Sequence, residues 1–144
     1  MMEPVLCNSG CLMPVAGYLE GVRDLCRRHG TLFVMDEVIT GFRIALGGAQ
    51  AHFGVTPDLS TFGKAVAGGA ALSVVAGRRE IMEQLHGAGV AFGGTFNGNP
   101  LSLGIADATL EELARDGGAA LVHANRTGQA LMEGIRDLGR RHDI

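Results

Sequence analysis

Lys64 is the only lysine in the 144 residues; every other fixed cation is arginine. It stands between Leu59-Ser60-Thr61-Phe62-Gly63 and Ala65-Val66-Ala67-Gly68-Gly69. Burial of an ammonium in such apolar surroundings is costly unless the amine is neutral or covalently engaged, as a Schiff-base lysine is. A lysine whose stem lies along apolar surface with its head in water leaves the same trace in a sequence. A second candidate is Asp36-Glu37, which ends the apolar run Thr31-Leu32-Phe33-Val34-Met35. Carboxylates at the carboxyl end of a buried strand sit where open α/β sheets bind ligands. There they can bind a metal, act as a base, pair with a cationic ring nitrogen, or simply cap a nearby loop. The third is Phe92-Gly93-Gly94-Thr95-Phe96-Asn97-Gly98-Asn99-Pro100. Its backbone amides, hydroxyl and following helix start suit a phosphate, and equally suit a plain glycine-rich loop with an N-cap.

Other groups carry less chemistry. The histidines at 29, 52, 86, 123 and 142 have no ligand spacing, and Met35 and Met82 read as core filler. Cys7, Cys11 and Cys26 are odd in number and lack a CxxC spacing, which fits a reducing, cytoplasmic setting better than a disulfide or zinc framework. The balance of 12 Lys plus Arg against 15 Asp plus Glu gives a net charge of −3, with no electrostatic footprint for nucleic acid or an anionic membrane. No apolar run approaches the roughly 18 residues of a membrane span, and the start lacks the basic and apolar regions of a secretory signal. With 47% apolar and 19% charged residues the chain is not disordered.

The elements that must hold these groups follow from periodicity. Glu3–Cys7 reads as a short strand ending at Asn8-Ser9-Gly10. Leu19, Val22, Leu25 and Cys26 recur at helical spacing between Val15 and His29, with Arg27, Arg28 and Gly30 closing the helix. Thr31–Met35 is a strand buried on both faces. Strand, helix and strand make a βαβ unit, hence an α/β fold with a mostly parallel sheet and flanking helices. Leu59–Phe62 and Leu72–Ala76 are further strands, Arg78–His86 a short helix, Pro100–Arg115 a longer one with Asn99 as N-cap, and Ala119–Arg141 an amphipathic segment after Gly117-Gly118. Both ends read as cut from a longer chain.

Together these strings resemble the class III (subgroup II) pyridoxal-phosphate-dependent aminotransferases, most closely the glutamate-1-semialdehyde 2,1-aminomutase-like branch. The resemblance is carried by Cys7-Asn8-Ser9-Gly10, Asp36-Glu37-Val38-Ile39-Thr40-Gly41-Phe42-Arg43, Gly47-Gly48-Ala49-Gln50, Gly54-Val55-Thr56-Pro57-Asp58-Leu59, Phe62-Gly63-Lys64 and Gly94-Thr95-Phe96-Asn97-Gly98-Asn99-Pro100. Asp36 precedes Lys64 by 28 residues, the separation of that family's cofactor aspartate and lysine.

The resemblance implies a partial type I fold. Residues 1–105 would be the C-terminal part of the large, cofactor-binding domain, and 106–144 linking helices toward a small domain. It implies pyridoxal 5'-phosphate as cofactor, an amino donor and an oxo-acid or aldehyde acceptor as substrates, and a homodimer. Lys64 matches the lysine of the internal aldimine, and Asp36 the carboxylate on the pyridinium nitrogen. Val38 matches the residue packed on the ring, Asn8 a neighbour of the phenolic oxygen, and Thr95 a residue reaching the partner subunit's phosphate. Two strings depart from the pattern. Ala67-Gly68-Gly69-Ala70-Ala71 follows the lysine in place of three glycines, an apolar residue and proline, and Phe96-Asn97 stands where the aminomutases carry Leu-Ser. The second departure favours an ordinary aminotransferase, or an amino-acid racemase of the same branch, over the aminomutase. The rival reading is an incomplete or non-catalytic remnant. A nucleotide-binding βαβ unit has neither a GxGxxG after the first strand nor a GxxxxGK[ST] string behind it.

Overall fold

The computed structural model describes residues 1–87 and 89–143; Ala88 and Ile144, the last residue of the expected 106–144 segment, lie outside them. Three strands form the sheet: β1 (Val34–Asp36), β2 (Leu59–Phe62) and β3 (Val74–Gly77), in the order β1-β2-β3. Five helices accompany them: α1 (Tyr18–Arg28), α2 (Gly48–Phe53), α3 (Arg79–Met82), α4 (Pro100–Ala114) and α5 (Ala119–His142). The sheet is mixed. β1 and β2 are parallel with Asp36 opposite Thr61, whereas β3 runs antiparallel to β2.

The expected strand at Glu3–Cys7 is not formed. Its place in the ladder is taken by Met2 alone, whose N–H donates to the Val34 carbonyl at 3.0 Å and whose carbonyl accepts from Asp36 N–H at 2.8 Å. The reason lies in Pro4, which has no N–H for a ladder, and in the 3-10 turn at Cys7–Ser9 that follows. The next strand starts later than the apolar run does. Phe33 N–H is taken by the Asp58 carboxylate at 2.8 Å, so β1 begins at Val34.

One core lies between α1 and the sheet. Leu19, Phe33, Met35, Ala49 and Val55 are buried, with Met2, Val22, Cys26, Ile44 and Phe53 packed around them. These include the helical positions Leu19, Val22 and Cys26 whose spacing predicted α1. Met35 and Val55 are fully buried, each contributing about 1.5–3 kcal/mol relative to exposure. A second cluster, Val66, Ala67 and Ala106, seats the 3-10 turn Lys64–Ala67 on α4. Asn99 caps α4 as expected, accepting from Leu101 N–H at 3.0 Å and Ser102 N–H at 3.1 Å. The break after α4 falls at Gly117-Gly118, both left-handed. Along α5 only Leu121 is buried, and Leu131, Met132, Ile135 and Leu138 stand exposed.

Candidate cofactor site

Asp36 is the last residue of β1, and Lys64 follows β2 by two residues. Because β1 and β2 are parallel neighbours, both groups stand at the carboxyl edge of the sheet, the ligand-binding edge of open α/β folds. Asp36 is half-buried. Its Oδ1 accepts from Val38 N–H at 3.0 Å and from the Thr61 hydroxyl at 3.3 Å. Its Oδ2 accepts nothing from any described residue, and no side-chain oxygen buried from solvent among them lacks a partner. One oxygen is thus held in place and the other is open.

Glu37, the adjacent carboxylate, does different work. It is wholly buried and accepts from the Thr40 hydroxyl at 3.1 Å, from Gln50 N–H at 3.2 Å, from Gln50 Nε2 at 3.1 Å and from Ala49 N–H. It therefore caps the first turn of α2, where free amides and the helix dipole favour an anion. Gly48 has φ +67°, and a Cβ there would overlap the Glu37 carboxylate. Of the two acids, only Asp36 remains available to a ligand.

Lys64 is exposed, which agrees with the reading of a lysine with its head in water and not with a buried ammonium. Its backbone is unusual. With φ +46° it occupies the left-handed region, which costs an L-residue about 1–2 kcal/mol. Strain of that kind persists where surrounding packing fixes it, and here Val66 and Ala67 bury the turn against Ala106.

Val38 comes to the same edge. Val38 Cγ1 lies 3.4 Å from where a Cβ on residue 63 would stand, so glycine before the lysine leaves the valine room. Asn8 Nδ2 donates to Glu3 Oε1 at 3.1 Å, and Cys7 N–H to Glu3 Oε2 at 3.2 Å. Burial pushes the Cys7 thiol above its ordinary pKa, Cys11 and Glu3 push the same way, and the positive charge of Lys64 opposes them. Thr95 is not brought into this group. It opens an exposed turn and makes no hydrogen bond to Asp36, Val38, Asn8 or Lys64.

Sequence reasoning passed over Thr61 and Glu3. Thr61 was detectable only through its register with Asp36, and Glu3 only through the turn that brings it back to Asn8.

This arrangement, a carboxylate and an amine at the carboxyl ends of adjacent parallel strands, is found in an α/β chain whose relatives are clear. The class III aminotransferase family pattern matches residues 1–144. An omega-transaminase from Sphaerobacter thermophilus superposes with a TM-score of 0.88 at 30% identity, over 96% of this chain and 32% of that one. The ornithine delta-aminotransferase of Plasmodium falciparum gives 0.81 at 30% identity, over 96% and 36%. N-acetylornithine aminotransferase from Stenotrophomonas maltophilia gives 0.79 at 28% identity, over 96% and 35%. The fold is therefore part of the type I fold of pyridoxal-phosphate-dependent transferases. The chain belongs to the class III aminotransferases, and it spans about a third of the length of the solved structures it matches. Among the described residues, no helix is long and apolar enough to cross a membrane.

Proposed function

We propose that this chain supplies the lysine and the ring-nitrogen carboxylate of a pyridoxal-5'-phosphate-dependent enzyme that moves an amino group from an amino donor to an oxo-acid or aldehyde acceptor. The observation that carries the reading is the placement of Asp36 and Lys64 on one sheet edge, with Asp36 Oδ2 open. The residues present fit the cofactor. A fixed carboxylate with one free oxygen suits a protonated ring nitrogen, and an exposed amine suits an aldehyde. When bound, pyridoxal phosphate supplies an electron sink for charge developing on the substrate carbon. Asp36 holds the ring-nitrogen proton, its orientation fixed by Val38 N–H and the Thr61 hydroxyl. Lys64 holds the cofactor through its amine and, once released, carries a proton at Nζ. Val38 offers an apolar face, and Asn8 a polar group for the ring's phenolic oxygen.

The Asp36-to-Arg43 string supports the aminomutase-like branch, and Phe96-Asn97 supports an aminotransferase or racemase of that branch. The reading extends to a cytoplasmic homodimer in which Thr95 serves the partner subunit's phosphate. In it residues 1–105 complete the large domain, while 106–144, entered along α4, lead toward the small one.

A second reading, a remnant that no longer holds the cofactor, draws on the exposure of Lys64. One experiment separates them. The protein is mixed with pyridoxal phosphate, scanned in the visible range, reduced with borohydride and peptide-mapped. Saturable colour and label on Lys64, absent from Lys64→Ala, supports the first reading. Label spread over the N-terminus, with no saturable colour, sinks it and leaves the remnant.

A further inference from the structure

Cys7 and Cys11 bracket the turn Asn8-Ser9-Gly10, and that turn closes on an antiparallel bridge between Leu6 and Leu12. Leu6 N–H donates to the Leu12 carbonyl at 3.1 Å, and Leu12 N–H returns to the Leu6 carbonyl at 3.3 Å. Cys7 opens the 3-10 turn Cys7–Ser9 just inside that bridge, and Cys11 follows Gly10 on its other side, so the two cysteines flank one closed turn four residues apart. A disulfide spans Cα separations of about 4.4–6.8 Å, which residues at the two ends of so short a turn can meet.

The side chains agree with the backbone. Cys11 Sγ donates to the Cys7 carbonyl oxygen at 3.8 Å. Cys11 is exposed and sits at φ +55° beside Gly10 at φ +89°. Cys7 is half-buried. Cys26, the third thiol, is on α1 and packs against the core of Leu19, Phe33 and Met35.

We propose that Cys7 and Cys11 form a reversible intramolecular disulfide, a redox modification site opened by exchange with a small external disulfide of the glutathione class. The Cys11 thiolate attacks one sulfur of the external disulfide; a Cys11–glutathione bond forms, the external S–S bond breaks, and one glutathione thiolate leaves. The Cys7 thiolate then attacks Cys11 Sγ, forming the Cys7–Cys11 bond and releasing the second glutathione thiolate. Two cysteine thiols are oxidised and one external disulfide is reduced, the two protons passing to the released thiols. Exposure makes Cys11 the entry point. The Cys7 thiol, held up chiefly by burial, makes ring closure the pH-dependent step, faster as pH rises. The closed ring fixes the loop that carries Asn8. Disulfide formation itself stands independently of any cofactor.

The test is thiol mapping of the full-length protein after incubation with oxidised and reduced glutathione at several ratios. The protein is quenched by alkylation and digested with trypsin. No cleavage site separates Cys7 from Cys11, so the peptide ending at Arg23 carries both. The expected result is joint loss of alkylation at both positions, a peptide lighter by two hydrogens, a still-alkylated Cys26, and full recovery with dithiothreitol. In Cys7→Ser the Cys11–glutathione adduct accumulates instead. A stable adduct on Cys11 of the unaltered protein with Cys7 still free overturns the proposal. So does undiminished alkylation of both thiols at the most oxidising ratio.

Discussion

Asp36 and Thr61 are register partners on parallel strands, and the Thr61 hydroxyl donates to Asp36 Oδ1 across 3.3 Å. The same oxygen accepts from Val38 N–H, while Oδ2 accepts from no described residue. A carboxylate that must hold one proton of a ring needs this asymmetry, because two free oxygens would rotate about the terminal torsion. Thr61→Val keeps shape and removes the donor. A neutral hydrogen bond contributes about 0.5–1.5 kcal/mol, and one to a charged group more. The variant is expected to fold and to bind pyridoxal phosphate about tenfold more weakly, the equivalent of about 1.4 kcal/mol. Absorbance titration beside unaltered protein checks this, and equal affinity would show that Val38 N–H alone orients Asp36.

Glu37 carries the opposite expectation. It gathers Thr40, Ala49 and Gln50 around one buried carboxylate, so its removal orphans amides at the start of α2. Each buried donor left without a partner costs about 1–3 kcal/mol. Glu37→Ala is expected to lower the unfolding free energy by at least one such increment in urea titration, and Glu37→Gln by less, since its carbonyl still accepts. If Glu37→Ala unfolds at the same urea concentration as the parent, the carboxylate is not what holds α2.

The two acids also show where a sequence is legible. Lys64 was conspicuous as the sole lysine in an apolar, glycine-flanked run, and Asp36 as the end of an apolar strand. Both therefore read directly as candidates. Glu37 looked equivalent because its partners Ala49 and Gln50 lie twelve and thirteen residues away, on a helix of six residues too short to leave a periodic signature. The left-handed turn at Lys64 is seated by Val66 and Ala67 packing on Ala106, which lies about forty residues further along the chain. No local pattern announces that. Leu59–Phe62 matched β2 residue for residue because a short β-rich run between turns has little freedom. Glu3–Cys7 failed because β character outweighed the missing N–H of Pro4.

The edge of the sheet opposite the candidate site is fastened by one carboxylate. Asp58 accepts from Phe33 N–H at 2.8 Å ahead of β1 and pairs with Arg78 Nη1 at 2.8 Å beyond β3, with Arg78 also paired to Glu80. The Arg78 guanidinium, then the Phe33 amide, hold the Asp58 carboxyl below its ordinary pKa. A carboxyl lowered on folding binds a proton more readily in the unfolded chain, where its pKa is about 3.9. Its stabilisation is therefore complete above that value and lost as pH falls through the folded pKa. Unfolding free energy is expected to fall with acidification below about pH 4. The slope should be shallower in Arg78→Gln, which removes the largest cause while leaving Phe33. Urea unfolding of both proteins on either side of that pH checks it. Parallel slopes would mean that the Phe33 amide, not Arg78, holds the Asp58 charge in the folded state.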